Sequence, residues 1–350
     1  MKLSELLEGL INNSQADFEI SGVELDSRHI NNGDVFIASK GANYHGLAYV
    51  DQAIANGAKA IIYDPETVNF DYQPVAGVLH IALTGLEKNL GAIAAKFYGF
   101  PSQKLEVIGV TGTNGKTSCS QFIAQSLSNC GVIGTLGWGE PGKMTPTVNT
   151  TPDVLTNQKI LNQFVRQKKS AVAMEVSSHG LQQGRVAGID FKGAVFTNLT
   201  HDHLDFHGDM KAYLQAKLSL FTNPKLQFAV VNLDDLNAQV VLGGISANVQ
   251  CWTFSSRGRS QAGAESIIAS QINLGLEGIH FKVTWRGETL NAFSTLVGSF
   301  NLENLLAVLA VLLGMSIPFK DAVARLSQLK AIPGRMEQFG GKNKPTVFVD

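Results

Sequence analysis

Cysteine is scarce in this chain: three residues in 350, Cys119, Cys130 and Cys251, with no C-x-x-C pair. An odd, widely spaced set excludes a disulfide framework, argues against zinc, and fits the reduced thiols of the cytosol. Net charge is nearly absent too. Twenty-eight Lys and Arg against 29 Asp and Glu leave −1 and a pI near 6.7. No broad field therefore draws the chain to nucleic acid or to an anionic membrane, and a polyanionic ligand must be held by local groups. Long apolar runs are missing as well. The Leu-rich stretch from Leu305 to Met315 is too short to span a bilayer, and Met1-Lys2-Leu3-Ser4-Glu5-Leu6-Leu7 carries acids where a signal peptide needs an apolar core. These lacks predict a cytoplasmic protein that works on small molecules, without nucleic acid and without a membrane span.

What is present is a globular composition, 44% hydrophobic, at a length that predicts about two to three domains. Residues 107 to 118, Val-Ile-Gly-Val-Thr-Gly-Thr-Asn-Gly-Lys-Thr-Ser, run from an apolar strand through a glycine-rich turn into a helix start. That order cradles nucleotide phosphates. Gly112 and Gly115 let backbone N–H groups converge on phosphate oxygens, Lys116 adds a charge near the β and γ phosphates, and the Thr117 hydroxyl is placed to hold Mg²⁺. Cys119, Phe122, Ile123 and Leu127 then recur at helical spacing, so a helix N-terminus faces the anion. One position departs from the usual motif, which wants glycine six residues before the lysine and here has Val110.

The patterning predicts an α/β protein: a small N-terminal α/β domain over 1–98, a P-loop NTPase-like central domain over 99–333 with a mostly parallel sheet and a small antiparallel insertion, and over 334–350 a hinge and the start of a further domain. In the first, Asp51 to Asn56 is helical with Gly57 as C-cap, and Ala60–Tyr63 is a buried strand. In the second, strands at 171–176, 193–198 and 228–232 alternate with helical stretches. Polar residues follow each strand directly, so Lys116, Glu175, Asn198 and Asn232 are expected on one rim beyond the strands' carboxyl ends. Period-two patterning in 279–285 and 288–296, around Arg286-Gly287, predicts a hairpin. A helix over 302–314 and a hinge at Pro333-Gly334-Arg335 follow, then a last strand, 346–350, with no partner evident in sequence, as though the chain were cut where another domain begins.

Three further segments narrow the chemistry: Glu175-Val176-Ser177-Ser178-His179-Gly180-Leu181, then Thr197-Asn198-Leu199-Thr200-His201-Asp202-His203-Leu204-Asp205-Phe206-His207, then Tyr213-Leu214-Gln215-Ala216-Lys217. With the Gly-Lys-Thr turn they resemble the Mur ligases, and most closely those members that add the third peptide residue to UDP-N-acetylmuramoyl-L-alanyl-D-glutamate. The resemblance runs from Asp26-Ser27-Arg28 through Asn149-Thr150-Thr151-Pro152 to Pro333-Gly334-Arg335-Met336-Glu337. It implies a ligase that uses ATP and Mg²⁺: an acceptor carboxylate attacks the γ-phosphate, and an amino group, from meso-diaminopimelate or L-lysine, captures the acyl phosphate. Lys116, Glu175, His203 and Lys217 would be the catalytic set. Thr117 and Glu175 would hold one metal ion, and His203 with Lys217 the other.

A lysine beside Mg²⁺ needs a chemical reason. At ~4 Å and an effective dielectric of about 20, an ammonium and a divalent ion repel by roughly 8 kcal/mol. The family's solution is carbamylation, which makes Lys217 an N6-carboxylysine bearing two anionic oxygens. Taken alone, Lys217 is a solvated helix lysine and His203 a hydrogen-bonded polar histidine; His201, Asp205 and His207 keep such solvated or hydrogen-bonding roles. The resemblance also assigns Gly112, Thr113, Asn114, Gly115, Lys116, Thr117 and Ser118 to the triphosphate, Asn301 to the adenine side and Arg335 to a hinge near the phosphates. Asn301 has a simpler role as a helix N-cap. For the muramoyl-peptide it implies Asn149, Thr150, Thr151, Ser177, Gln183 and Arg185, whose planar fork suits a carboxylate. For the uridine diphosphate it implies Leu25, Ser27 and the loop with Ala42, Asn43 and Tyr44, whose wording departs from the family's. Alternatives are another ligase of the superfamily, with a different acceptor, or a module that binds ATP and UDP-sugar without turnover. A chain lacking the domain that closes over ATP would turn over poorly.

Overall fold

The computed structural model describes residues 1–11, 16–41, 44–341 and 344–349. Contacts divide the chain into two units, one made of Met1–Pro101, Asp153–Gln163 and Gly184–Ile189, the other of Ser102–Pro152, Phe164–Gln183 and Asp190 onward. The first unit contains α1 (Leu3–Leu6), β1 (Val23–Glu24), β2 (Val35–Ala38), α2 (Val50–Ala55), β3 (Ala60–Tyr63), β4 (Leu79–Ala82) and α3 (Leu86–Phe97). Its four strands pair in parallel in the order β1-β2-β3-β4. Alternation along β2 builds two cores: Val35 and Ile37 join Leu3, Leu6 and Ile93 on one face, while Phe36 and Ala38 join Leu47, Val50 and Ala53 on the other. Asn56, not Gly57, is the C-cap of α2, and Gly57, the residue after it, takes φ +102° with its would-be Cβ 2.8 Å from the Cα of Asn32. Only glycine suits that C′ position.

In the second unit come β5 (Glu106–Thr111), α4 (Lys116–Ser126), β6 (Cys130–Gly134), β7 (Gly137–Glu140) and β8 (Lys143–Thr145). After α5 (Val154–Arg166) follow β9 (Ala171–Glu175), α6 (Ser178–Gln182), β10 (Gly193–Phe196), α7 (Leu204–His207), α8 (Met210–Leu218), β11 (Phe228–Asn232), α9 (Ala238–Gly243) and β12 (Gln250–Ser255). The rest is β13 (Glu265–Gly275), β14 (Gly278–Trp285), β15 (Glu288–Ser294), α10 (Ser299–Gly314), α11 (Phe319–Leu326), β16 (Glu337–Gly341) and β17 (Lys344–Val349). One eleven-stranded sheet carries most of them, in the order β15-β14-β13-β12-β11-β10-β5-β9-β6-β7-β8. Pairing is parallel from β13 to β6 and antiparallel at both flanks.

The central strands are buried on both faces, which is why they read as unbroken apolar runs. Helix α10 is apolar all round and buried from Leu305 to Leu313, in the core shared with Phe122, Ile123, Phe228 and Phe254. Its start lies three residues before the expected one. The β14–β15 hairpin turns on Arg286 and Gly287, both at positive φ, and its strands continue the main sheet. Two features were not foreseen. The opposite edge, β6-β7-β8, is also antiparallel, its glycine-rich sequence masking the period-two signal. The last strand does have a partner: β17 pairs with β16, whose Gly340 and Gly341 read as loop.

Candidate functional site

In β5 the chain stays paired through Val110, opposite Glu175 of β9, so the loop begins only at Gly112 and the motif's first glycine has no turn to make. Gly112 has φ +152°, and a Cβ there would lie 1.9 Å from Thr197 Oγ1; Gly115, at φ +82°, would place one 2.6 Å from Asn304 Oδ1. Both glycines are thus demanded by close neighbours. The loop is braced from β10: Thr113 N donates to Asn198 O (2.9 Å), Asn114 N to Asn198 Oδ1 (2.9 Å), and Thr197 Oγ1 to Asn114 O (2.6 Å). Lys116 folds back, Nζ donating to Gly112 O (2.9 Å) and Thr113 O (2.8 Å), and burial pushes its pKa down.

Glu175 ends β9 at 1% exposure. Thr117 Oγ1 (2.9 Å) and Thr135 Oγ1 (3.0 Å) donate to its Oε2, and Thr135 N donates to Oε1 (2.9 Å). Burial raises its pKa and these three bonds oppose the rise. All three donors are neutral, and among the described residues Glu175 has no salt bridge. A buried carboxylate beside a threonine hydroxyl, with only neutral donors, fits a hard divalent cation that takes oxygen ligands and keeps waters. Among the described residues no three His, Cys, Asp or Glu side chains gather to hold a metal ion.

Lys217, on α8, is also 1% exposed. Its Nζ donates to Gly112 O (2.9 Å), the same oxygen that Lys116 uses, and lies 4.4 Å from the Tyr213 ring centre. Burial, then the charge of Lys116, pushes its pKa down to about 6. The solvated lysine that Lys217 suggests in isolation is therefore replaced by a buried amine whose surroundings favour the neutral form. His203 has φ +52°, lies 3.4 Å from Asp202 through Nε2, and lines the same cavity. His207 instead bonds Ser178 Oγ at 2.9 Å, while His201 and Asp205 are exposed.

Around these groups lies a cavity of about 600 Å³, entirely within the second unit, lined by residues 113–118, Glu175, Asn198, His203, Lys217 and Arg335 among others. Lys116, Glu175 and Asn198 thus share the expected rim. Asn232 stands at the matching end of β11 but is buried, its Nδ2 donating to Thr197 O (2.8 Å) and Glu303 Oε2 (3.3 Å). Asn301 is not the N-cap of α10, which is Gly298; it is buried, and its Nδ2 donates to Val297 O at 2.8 Å. One turn on, Asn304 lines the cavity with Phe300 and Glu303. These three, and Thr135, were missed. Thr135 follows strand β6 just as Asn198 follows β10, and the same rule would have found it.

Among the peptide-side residues, Thr150 and Ser177 line the cavity and Asn149 is exposed nearby in sequence. Thr151 is fully buried, donating to Glu175 O and accepting from Ser177 N, each at 2.9 Å. Ser177 caps α6 through Gly180 N, and Gln183 is that helix's C-cap. Arg185 belongs to the first unit, where its carbonyl accepts from Asn157. In that unit Leu25 packs against the core, Ser27 Oγ donates to Gln52 Oε1 (2.7 Å), and Tyr44 is exposed. Ala42 and Asn43 lie outside the described residues.

Residues 110–312 match the Mur ligase middle domain, and residues 19–98 match a model described as the Mur ligase family, catalytic domain. The UDP-N-acetylmuramoyl-L-alanyl-D-glutamate--2,6-diaminopimelate ligase of Alkalilimnicola ehrlichii is 41% identical over 361 residues, covering 100% of this chain and 72% of that protein. A solved structure bearing the same enzyme name superposes with a TM-score of 0.84 at 30% identity, over 98% of this chain and 69% of the other. A MurF from Acinetobacter baumannii shares the fold, at TM-score 0.66 and 19% identity over 97% of this chain and 70% of its own.

Proposed function

This chain belongs to the Mur ligase family, and from that premise we propose that it is an ATP-dependent amide ligase joining 2,6-diaminopimelate to UDP-N-acetylmuramoyl-L-alanyl-D-glutamate in peptidoglycan synthesis. The name shared by the relatives favours diaminopimelate over L-lysine and this acceptor over that of other superfamily ligases. Residues 112–118 cradle the triphosphate, with Arg335 near its phosphates and Asn301 acting on the adenine side through Asn304, whose Nδ2 donates to its Oδ1 (3.2 Å). We assign Leu25, Ser27, Ala42, Asn43 and Tyr44 to the uridine diphosphate, and Asn149, Thr150, Thr151, Ser177, Gln183 and Arg185 to the muramoyl-peptide. The protein works in the cytoplasm, where ATP and the nucleotide-linked acceptor are found.

Thr117 and Glu175 would hold one Mg²⁺, and His203 with carbamylated Lys217 the other. When bound, these ions would neutralise the triphosphate and the charge developing on the transferred phosphoryl group. The chain's own groups prepare that site. Lys116 sits over the loop, ready to move from its two carbonyl acceptors to phosphate oxygens. Lys217 is desolvated, so its neutral Nζ has a lone pair that can bond the carbon of CO₂; loss of one proton then leaves the carbamate anion. The γ-phosphate passes to the acceptor carboxylate, ADP leaves, and the amine displaces phosphate from the acyl phosphate.

The observation carrying this reading is one cavity at the glycine-rich loop that is lined by the buried Glu175 carboxylate and two desolvated lysines, Lys116 and Lys217. It is tested by phosphate release with ATP, UDP-N-acetylmuramoyl-L-alanyl-D-glutamate and diaminopimelate. Release that needs all three is expected. Binding of ATP and acceptor without release would instead make the chain a module without turnover.

A further inference from the structure

The geometry points to Thr135 as a positioning residue through which acceptor binding and divalent-cation binding strengthen each other; this rests on the ligase reading above. Thr135 is exposed at the cavity, so its side chain is not there for packing. Yet both of its donors, N–H and O–H, are spent on the two oxygens of Glu175. A hydroxyl has one proton. Because that proton goes to Glu175, the contact between Thr135 Oγ1 and Thr150 Oγ1 at 3.1 Å must be donated by Thr150. The result is an oriented chain, Thr150 to Thr135 to Glu175, leading from the acceptor-side loop to the carboxylate.

The same loop grips the site at two more points. Thr147 Oγ1 shares its one proton between Asn149 O (3.0 Å) and Gly134 O (3.3 Å), the latter at the end of the strand that presents Thr135, and Thr151 Oγ1 donates to Glu175 O while holding Ser177 N. Three threonines of 147–151 therefore reach the ends of β6 and β9. With nothing bound, the Thr150 hydroxyl at the cavity edge is a rotor held by a single 3.1 Å bond to Thr135. An acceptor resting on Thr150 fixes that rotor, and with it the donor that aims the carboxylate of Glu175. The ordering cost of the cation site is then met once for both ligands, which makes their binding cooperative without any large movement. Linkage requires the effect to be reciprocal.

The test is direct binding of Mn²⁺, followed by electron paramagnetic resonance, to the full chain holding a non-hydrolysable ATP analogue, with and without UDP-N-acetylmuramoyl-L-alanyl-D-glutamate. In the wild type, acceptor should tighten Mn²⁺ severalfold. Thr135→Val keeps shape and backbone donor but loses the hydroxyl; it should weaken Mn²⁺ by about tenfold, as loss of a charge-assisted bond does, and abolish the tightening by acceptor. Thr135→Ser should restore both, which a purely structural role would not require. If Thr135→Val tightens with acceptor as the wild type does, while Glu175→Gln loses Mn²⁺, the coupling is overturned and the metal assignment stands. If Glu175→Gln binds Mn²⁺ normally, the metal assignment falls and the coupling with it.

Discussion

Gly134 shows how tightly the carboxylate is boxed. Its backbone is ordinary strand, but a Cβ would sit 2.1 Å from Glu175 Oε1. Gly134→Ala therefore leaves the strand's conformation allowed and pushes the carboxylate off its three donors. Overpacking of this kind costs about 1–3 kcal/mol, and because it falls on one functional group, kcat/KM should drop by about tenfold or more with far-ultraviolet circular dichroism unchanged. Equal activity in the two proteins would mean that Glu175 can be displaced harmlessly. The glycines of the phosphate loop, Lys116 and Thr117 could be picked out by spacing, because backbone curvature and charge placement there depend on adjacent residues. Gly134 could not, since what makes it matter is a carboxylate about forty residues away. Lys217 was the extreme case: as a letter it is an exposed cation, and only the surrounding motif suggested otherwise.

The stretch before β4 carries a titratable latch. Val75 N donates to His80 Nε2 (3.2 Å), so the ring's proton is on Nδ1, facing Tyr72 OH at 2.6 Å. Burial lowers the His80 pKa and lifts that of Tyr72 to about 12. With a folded value below the unfolded 6.5, the unfolded chain binds more protons in that window, so this contribution to stability rises with pH and is lost as pH falls below 6.5. Protonation also forbids the Val75 bond. Exchange of the Val75 amide, normalised for its intrinsic pH dependence, should speed up between pH 7 and 5, and His80→Phe should remove that dependence; a pH-independent ratio in the wild type would refute the latch. The elements themselves were legible where period and turn chemistry agreed, as in β11, α10 and the Arg286-Gly287 hairpin. They were obscure where glycines broke the pattern, as in β7 and β16, and β8 was too short to show a period, although Pro141-Gly142 marks the turn that joins it to β7.

Ligand binding should be visible in the stability of the protein as a whole. A non-hydrolysable ATP analogue at a hundred times its dissociation constant stabilises by about 2.7 kcal/mol if it binds only the folded chain. Thermal unfolding should show a rise in Tm with analogue and Mg²⁺ that Lys116→Ala loses; a rise that survives in Lys116→Ala would place the triphosphate elsewhere. Local order and composition were enough for the α/β class, the strand-to-helix phosphate turn and the family, because hydrophobic period, glycine placement and short motifs act over a few residues. The buried state of Glu175 and Lys217, the cavity around them, the brace from Asn198 and the threonine chain to Thr150 came from the folded arrangement alone. Desolvation and hydrogen-bond partnership belong to neighbours in space, and the sheet order β10-β5-β9-β6 makes neighbours of residues that lie scores of positions apart along the chain.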